Sequence, residues 1–344
     1  MTSHRPFDAA GEHVDDLDLI DMVYPVIHDH DLPHRVKADL IEGIDLVRKY
    51  PHGSAELRRA LSIYLGVDQS RILITAGING GLDILAQAVL VGRKVVIPTP
   101  AFWQLAEAPL RYGAEVITCD LFDQDGVLKA FEQADAVILA HPNNPLGTPL
   151  PREFLHKLCA VAGERPVIVD ESYSDMAGDS FVSGPHFRNL IVLKGFKTFL
   201  MPGVRAGYIV ANEDIIEQLA WRMPPFAVTV QAEVGAMSVL RHLDDIKEIW
   251  RRVAIGRTAL ERSLNDLGGE CTTSTTPFVC WRYSNATKIG RALLSEGVAT
   301  MFPGKGTIID MPPDCIRMTV RKPEVQAIVV EKLKIVLSKL GGAI

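Results

Sequence analysis

The 344-residue chain carries a formal charge of −6 and is 47% hydrophobic, which predicts one large domain plus a smaller one. The acidic balance argues against nucleic acid or an anionic membrane as the main partner. Residues 82–91, the best candidate for a membrane span, are broken by Asp83 and Gln87 and are too short to cross a bilayer. His4, Arg5, Asp8, Glu12, Asp15 and Asp16 near the start leave no room for a signal-peptide core. Cys119, Cys159, Cys271, Cys280 and Cys315 form no CxxC pair. They read as reduced structural thiols of a cytoplasmic protein, and no metal site is expected.

In chain order, residues 17–22 suit a short strand, and Tyr24-Pro25 opens a turn-rich stretch. His28, His30 and His34 follow in no common metal-ligand spacing, so a solvated loop is expected. Residues 37–49 have helical periodicity and run into the loop signal Tyr50-Pro51-His52-Gly53. Residues 55–65 make a second helix, with Leu57, Leu61 and Leu65 on one face. From position 72 the pattern becomes strand (72–75), Gly-rich turn (76–81) and helix (82–90). A helix start after such a turn presents unpaired N–H groups that favour a phosphate. The spacing matches neither the dinucleotide fingerprint nor the P-loop, so a packing turn is the competing reading.

Strands are next expected at 94–98, 115–119, 136–140 and 167–169. The groups just past their ends are Phe102 and Trp103, then Asn143 and Asn144, then Asp170 and Tyr173, where open α/β sheets hold ligands. An aromatic there stacks on a flat ring or packs in the core. Asp170 is costly to bury unless a cation meets it. Strands at 189–193 and 206–210 flank Lys194, Lys197 and Arg205. A lysine at the end of a buried strand lies in a poor solvent for an ammonium ion, and its neutral amine condenses with an aldehyde. Arg205 suits a phosphate or carboxylate; a turn with solvated basic residues is the plain alternative. One unbroken helical region is expected from 230 to 267 because no proline interrupts it, and such a helix often bridges two domains. Strand (278–283), helix (287–296), strand (315–320) and helix (324–340) complete a small α+β unit.

These strand-end groups are together complementary to pyridoxal 5'-phosphate, which needs a Schiff-base lysine, a pyridinium partner and a phosphate cradle. The order Pro100-Ala101-Phe102, Asn143-Asn144-Pro145-Leu146-Gly147, Asp170 to Tyr173 and Lys197 to Arg205 resembles the fold-type I class I/II aminotransferases. The branch it looks most like comprises histidinol-phosphate aminotransferases and threonine-phosphate decarboxylases. The resemblance runs from Tyr50-Pro51 to Arg317. It implies an α/β fold: an aminotransferase-like large domain with a mostly parallel sheet (46–250) and a small α+β domain (1–45 and 251–344).

The resemblance also implies roles. Lys197 would carry the Schiff base and shuttle a proton, and Asp170 would keep the pyridine nitrogen protonated. Asn144 and Tyr173 would meet the phenolic oxygen, Phe102 would stack on the ring, and Gly77, Ile78, Asn79 and Arg205 would hold the phosphate. Tyr50 would reach the cofactor of a second subunit in a homodimer with shared sites. Arg317 would bind the substrate's carboxylate or phosphate.

Three departures stand out. Phe196 and Lys194 occupy positions where the family usually has Ser or Thr, and Lys194 could replace a hydroxyl's phosphate contact. The family's Asn-Glu-Asn-Pro segment is Asp21-Met22-Val23-Tyr24-Pro25 here, which brings Tyr24 to the substrate side. A usual Asn is Ala227. The expected activity is amino transfer from an amino acid or phosphorylated amine, as part of amino-acid metabolism. The competing readings are decarboxylation or elimination/cyclisation with the same cofactor, and a sensor domain of a transcription regulator. The last would call for a basic DNA-binding module. Phe278, Trp281, Met301 and Phe302 are open to pocket or core roles, and Arg321 to an acidic partner or solvent.

Overall fold

The computed structural model describes residues 19–27, 29–51, 54–304 and 308–341. Residues 1–18, His28 and the His52-Gly53 part of the loop signal lie outside them. The chain enters through β1 (Ile20–Asp21), α1 (His34–Glu42) and α2 (Ala55–Leu65). The expected helix over 37–49 is α-helical only to Glu42 and continues as a 3-10 turn over Gly43–Arg48.

The central layer alternates β2 (Ile72–Thr75), α3 (Gly77–Val89), β3 (Lys94–Thr99), β4 (Ala101–Phe102), α4 (Gln104–Arg111), β5 (Glu115–Asp120), α5 (Gln124–Glu132) and β6 (Ala136–Ala140). It continues through α6 (Arg152–Ala162), β7 (Val167–Asp170), the short α7 (Ser174–Ala177), β8 (Leu190–Gly195), β9 (Gly207–Val210) and α8 (Glu213–Ala220). Seven strands form one sheet in the order β2-β9-β8-β7-β6-β3-β5. Only the pairs made by β9 are antiparallel. β6, β7, β8 and β9 are buried along their whole length, which is why they read as continuous apolar runs rather than alternating ones. Successive side chains still part to opposite faces. Val137, Val169 and Val192 enter one core with α2, α5 and α6, while Ile138, Ile168 and Ile191 enter another with α3 and α4.

After the sheet come α9 (Val230–Arg241), α10 (Leu243–Asn265), β10 (Glu270–Cys271), β11 (Phe278–Arg282), α11 (Ala286–Ser295), β12 (Val298–Ala299), β13 (Ile308–Ile309), β14 (Cys315–Thr319) and α12 (Pro323–Lys339). The expected single helix over 230–267 is two, parted at His242, whose φ of −110° and ψ of 36° leave the helical region. Asp244 and Asp245 then sit in the first turn of α10, where negative charge suits the exposed N–H groups, and Arg35 grips Asp245 at 2.8 Å. A break of one residue without proline leaves hydrophobic periodicity intact, so the sequence does not show it. α10 buries Ile246, Trp250 and Val253 in the sheet's core and Leu260 and Leu264 in a third core with β11, β14, α11 and α12. α1, within the 1–45 segment assigned to the small domain, packs its Val36 into the sheet's core beside α9.

β10, β11 and β14 form a small antiparallel sheet, while β1 pairs with β12 and β4 with β13. A disulfide joins Cys280 on β11 to Cys315 on β14, their Cα atoms 6.1 Å apart, where the sequence reading expects thiols. The register of two strands far apart in sequence brings the pair together, which spacing rules for short cysteine motifs do not capture. Cys119, Cys159 and Cys271 are unbonded. No described helix is long and apolar enough to cross a membrane.

One contact sets where the sheet's carboxyl edge meets α3. A Cβ on Gly207 would lie 2.5 Å from the Gly77 carbonyl carbon and 2.8 Å from Ile78 N. Gly207→Ala must therefore push α3 off β9, and we expect a loss of about 1–3 kcal/mol, read from urea unfolding.

Candidate active site

The parallel strands end in a cavity of about 420 Å³. The residues brought there are Gly77, Ile78, Asn79, Phe102, Asn144, Asp170, Tyr173, Lys197, Arg205, Arg317 and Tyr24. Among the residues singled out from sequence, Lys194 and Tyr50 do not line it.

The first turn of α3 forms one end. The structure starts this helix at Gly77 rather than at the expected Leu82, so the glycine-rich turn is itself helical. No side chain caps Ala76, and the first turn holds no acidic residue, so its N–H groups are suited to an anion. A Cβ on Gly77, at φ 71°, would lie 2.9 Å from Arg205 Nη2. Only a residue without a side chain leaves the guanidinium its place over the helix end. Arg205 donates from Nη1 to the Pro202 carbonyl at 2.9 Å, which orients the fork.

Asp170 ends β7, buried, and accepts from Ser172 N at 2.9 Å and Ser172 Oγ at 2.6 Å. Burial raises its carboxyl above the ordinary range, outweighing the opposing hydrogen bonds from Ser172 and the charge of Lys197. The site therefore holds a carboxylate short of a cation. Lys197 Nζ donates to Tyr173 Oη at 2.7 Å and lies 4.0 Å from the centre of that ring. Phe278, fully buried, packs edge-on against Tyr173, with centroids 5.2 Å apart.

Arg317, on β14, closes the other end. It is buried, and desolvation pulls its pKa down to about 10. Nη1 donates to Asn144 Oδ1 and Nη2 to the Val23 carbonyl at 2.7 Å. Met301 bridges to Arg317 and joins the lining, whereas Trp281 and Phe302 go to the third core.

Lys194 is a correction to the expected phosphate contact. β8 alternation turns it to the opposite sheet face from Leu193, where it is fully buried. Its Nζ lies 3.0 Å from Glu171 Oε2 and 3.2 Å from Asp175 Oδ2. Burial alone would lower its pKa, but Asp175 and Glu171 raise it. Glu171 in turn stays below its usual range: burial opposes this, but Lys194 and the hydrogen bonds from Ser180, Phe181 N and Ser174 together outweigh it. Phe196 packs in the core beside Phe199 and Tyr208, so neither departure residue gives the cavity a hydroxyl. Tyr50 is 74% exposed and stacks on Phe226 with centroids 4.9 Å apart. Ala227, the third departure, is absent from the lining.

Sequence reasoning did not single out Ser172, Val23, Val26 or Gln104 for the cavity. Ser172 carried a usable signal, since a Ser two positions after an Asp closes a local side-chain turn. The others reach the cavity only through packing between distant segments.

Residues 30–333 match the family model for aminotransferase class I and II. The histidinol-phosphate aminotransferase of Staphylococcus epidermidis is 31% identical over 317 residues, 87% of this chain and 86% of that protein. That of Roseiflexus castenholzii is 32% identical over 326 residues, 89% and 82% of the two chains. Among solved structures, the histidinol-phosphate aminotransferase from Clostridium acetobutylicum superposes with a TM-score of 0.86 at 22% identity, over 93% of this chain and 100% of that one. L-threonine-O-3-phosphate decarboxylase from Porphyromonas gingivalis gives 0.81 at 25% identity, over the same shares. The chain belongs to the class I and II aminotransferases. It is a fold-type I transferase that uses pyridoxal phosphate and acts on small molecules.

The residues present fit that cofactor. The uncapped helix end with Arg205 suits its phosphate, the buried and cation-deficient Asp170 its ring nitrogen, and Lys197 its aldehyde.

Two predictions follow from the charges. In the unfolded chain Asp170 loses its proton near pH 3.8, before the folded chain does. The folded state then binds more protons, so cofactor-free protein loses stability as pH rises from there to the raised folded value. Asp170→Asn should flatten that decline in thermal melts across the acid range. Lys194→Met leaves Glu171 and Asp175 buried without their cation, and we expect a loss of about 3–5 kcal/mol in chemical unfolding.

Proposed function

We propose that the chain moves an amino group from a small amino acid or phosphorylated amine, with Lys197, Asp170 and Tyr173 as the catalytic residues. When bound, pyridoxal phosphate supplies a reactive aldehyde and an electron-withdrawing ring. Lys197 would hold the cofactor at its aldehyde and, as a free amine, would move the proton at the substrate's α-carbon. Tyr173, 2.7 Å from that amine, orients it and steadies its proton. Asp170 keeps a proton on the ring nitrogen, because a buried carboxylate gains most from a cation beside it. Asn144, whose Oδ1 accepts from Arg317, would meet the ring oxygen with its amide N–H groups. Phe102 would cover a ring face, and Arg205 with the backbone of Gly77, Ile78 and Asn79 would bind the phosphate. Arg317 receives the substrate's anionic group, and Tyr24 lies beside it.

The observation that carries this reading is the 2.7 Å contact between Lys197 and Tyr173 in the cavity that Asp170 and Arg205 share. Relatives named for amino transfer support it.

We also propose a homodimer in which Tyr50 reaches the partner's cofactor phosphate. Ile41, Ile44, Val47, Tyr50 and Phe226 are exposed, an apolar set that a second copy would cover. The division into 46–250 and 1–45 with 251–344 is part of the same proposal. So is a cytoplasmic location, which the three unbonded cysteines favour and the Cys280–Cys315 bond does not.

Lys197→Ala should remove the visible absorbance of bound cofactor and cut amino transfer by roughly 10⁴-fold. Unchanged absorbance in that variant would rule out Lys197 as the linking residue.

A further inference from the structure

Resting on the proposed cofactor reading, we infer that residues 308–311 form a latch from the small α+β unit to β4, and that Asp310 is a positioning residue that holds Phe102 at the cofactor ring. Phe102 lines the cavity and stands on β4, a strand of two residues. β4 is no member of the seven-stranded sheet; its ladder partner is β13. The two run antiparallel, Ile308 opposite Phe102 and Ile309 opposite Ala101. A ladder this short is weak by itself, so what holds β13 also decides where β4 stands.

Three contacts hold it. Thr99, buried at the end of β3 and paired there with Asp120, donates from Oγ1 to Asp310 Oδ2 at 2.8 Å. The same hydroxyl reaches the Cys119 carbonyl only at 3.3 Å, and the charged acceptor makes the stronger bond. Ile309 packs against the sheet's core with α3 and α4. Met311 packs against Leu146, Cys280 and Cys315, so the segment also touches β11 and β14 of the small unit. The chain thus closes a ring: β3 through Thr99 to Asp310, back along β13, and across to β4. On the other flank, Asn143 Nδ2 donates to the Pro100 carbonyl at 3.0 Å.

Asp310 holds a φ of 50°, a left-handed backbone that Asp and Asn accept more readily than other side chains. Such a conformation persists where the surroundings fix it, and here the side chain's bond to Thr99 does so. The demand on position is steep. A gap of about 0.5–1 Å between stacked surfaces forfeits roughly a quarter to a half of their dispersion attraction. Slack in the latch therefore weakens an aromatic contact at the ring without touching Lys197, Asp170 or Arg205.

The test follows holoenzyme of the full chain by two signals, the rate of cofactor release on dilution and the visible circular dichroism of the bound cofactor. Thr99→Val removes the donor, and Asp310→Gly removes the acceptor while suiting the left-handed backbone. Each should speed release about three- to tenfold, the range one aromatic contact is worth, and weaken the dichroism. The double variant should do no more than either single one. Thr99→Ser and Asp310→Asn keep a hydroxyl donor and an oxygen acceptor, and both should stay near the parent. In a Phe102→Ala background the latch variants should have no further effect, whereas a general loosening of the fold would act in either background. Parent-like release in Thr99→Val, or the same acceleration with and without Phe102, would overturn the inference while leaving the cofactor reading intact. Parent protein that shows no visible cofactor absorbance would sink that reading and the latch's role with it.

Discussion

A carboxylate that has been taken out of water needs a cation, and the carboxyl edge of this sheet is built around two answers to that need. Glu171 and Asp175 receive Lys194 from the chain itself, wholly inside the protein. Asp170, one residue before Glu171, accepts from Ser172 and feels the charge of Lys197, with no ion pair among the described residues. Strand alternation sends the two neighbouring acids to opposite faces. The first set locks the segment after β7 to β8, and the second leaves a vacant electrostatic partner facing the cavity. In the proposed reading the cofactor's protonated ring would supply the missing charge.

That lock also explains how Lys197 and Tyr173, the proposed catalytic pair, keep their spacing. Tyr173 lies between Glu171 and Asp175 in sequence, and Lys197 lies three residues past Lys194. With both sides of the triad fixed, the amine and the phenol meet at 2.7 Å without a covalent restraint. Position 194 faces away from the cavity, so no side chain there serves it. The lysine gives rigidity behind the sheet, and in the proposed reading the phosphate would fall to the start of α3 and to Arg205.

The substrate end follows a different logic. Here the chain departs from its family in sequence, and the geometry gives the departure a physical meaning. Val23, Tyr24 and Val26 line the cavity that holds one buried guanidinium, and Arg321 and Asp29 pair beside that segment. The small sheet, the first described residues and the strand ends of the large layer all converge there. The third core docks on the first through α10, which is buried in both.

The sequence by itself determined most of the framework. Apolar runs bounded by turn formers marked the strands of the sheet, because a fully buried parallel strand has nothing polar to show. Gly77, Asp170, Lys197 and Arg205 were legible because each sits at a strand end in a fixed chain order. What the linear chain could not reveal was direction and distance. Lys194 and Lys197 read alike until strand alternation turned one inward to Glu171 and the other to Tyr173. The break at His242, the Cys280–Cys315 bond and the Arg321–Asp29 clamp arise between segments, or within a single residue's dihedral angles, where periodicity carries no signal. Local pattern set which elements form; only the packing of remote elements decided which face each charge meets.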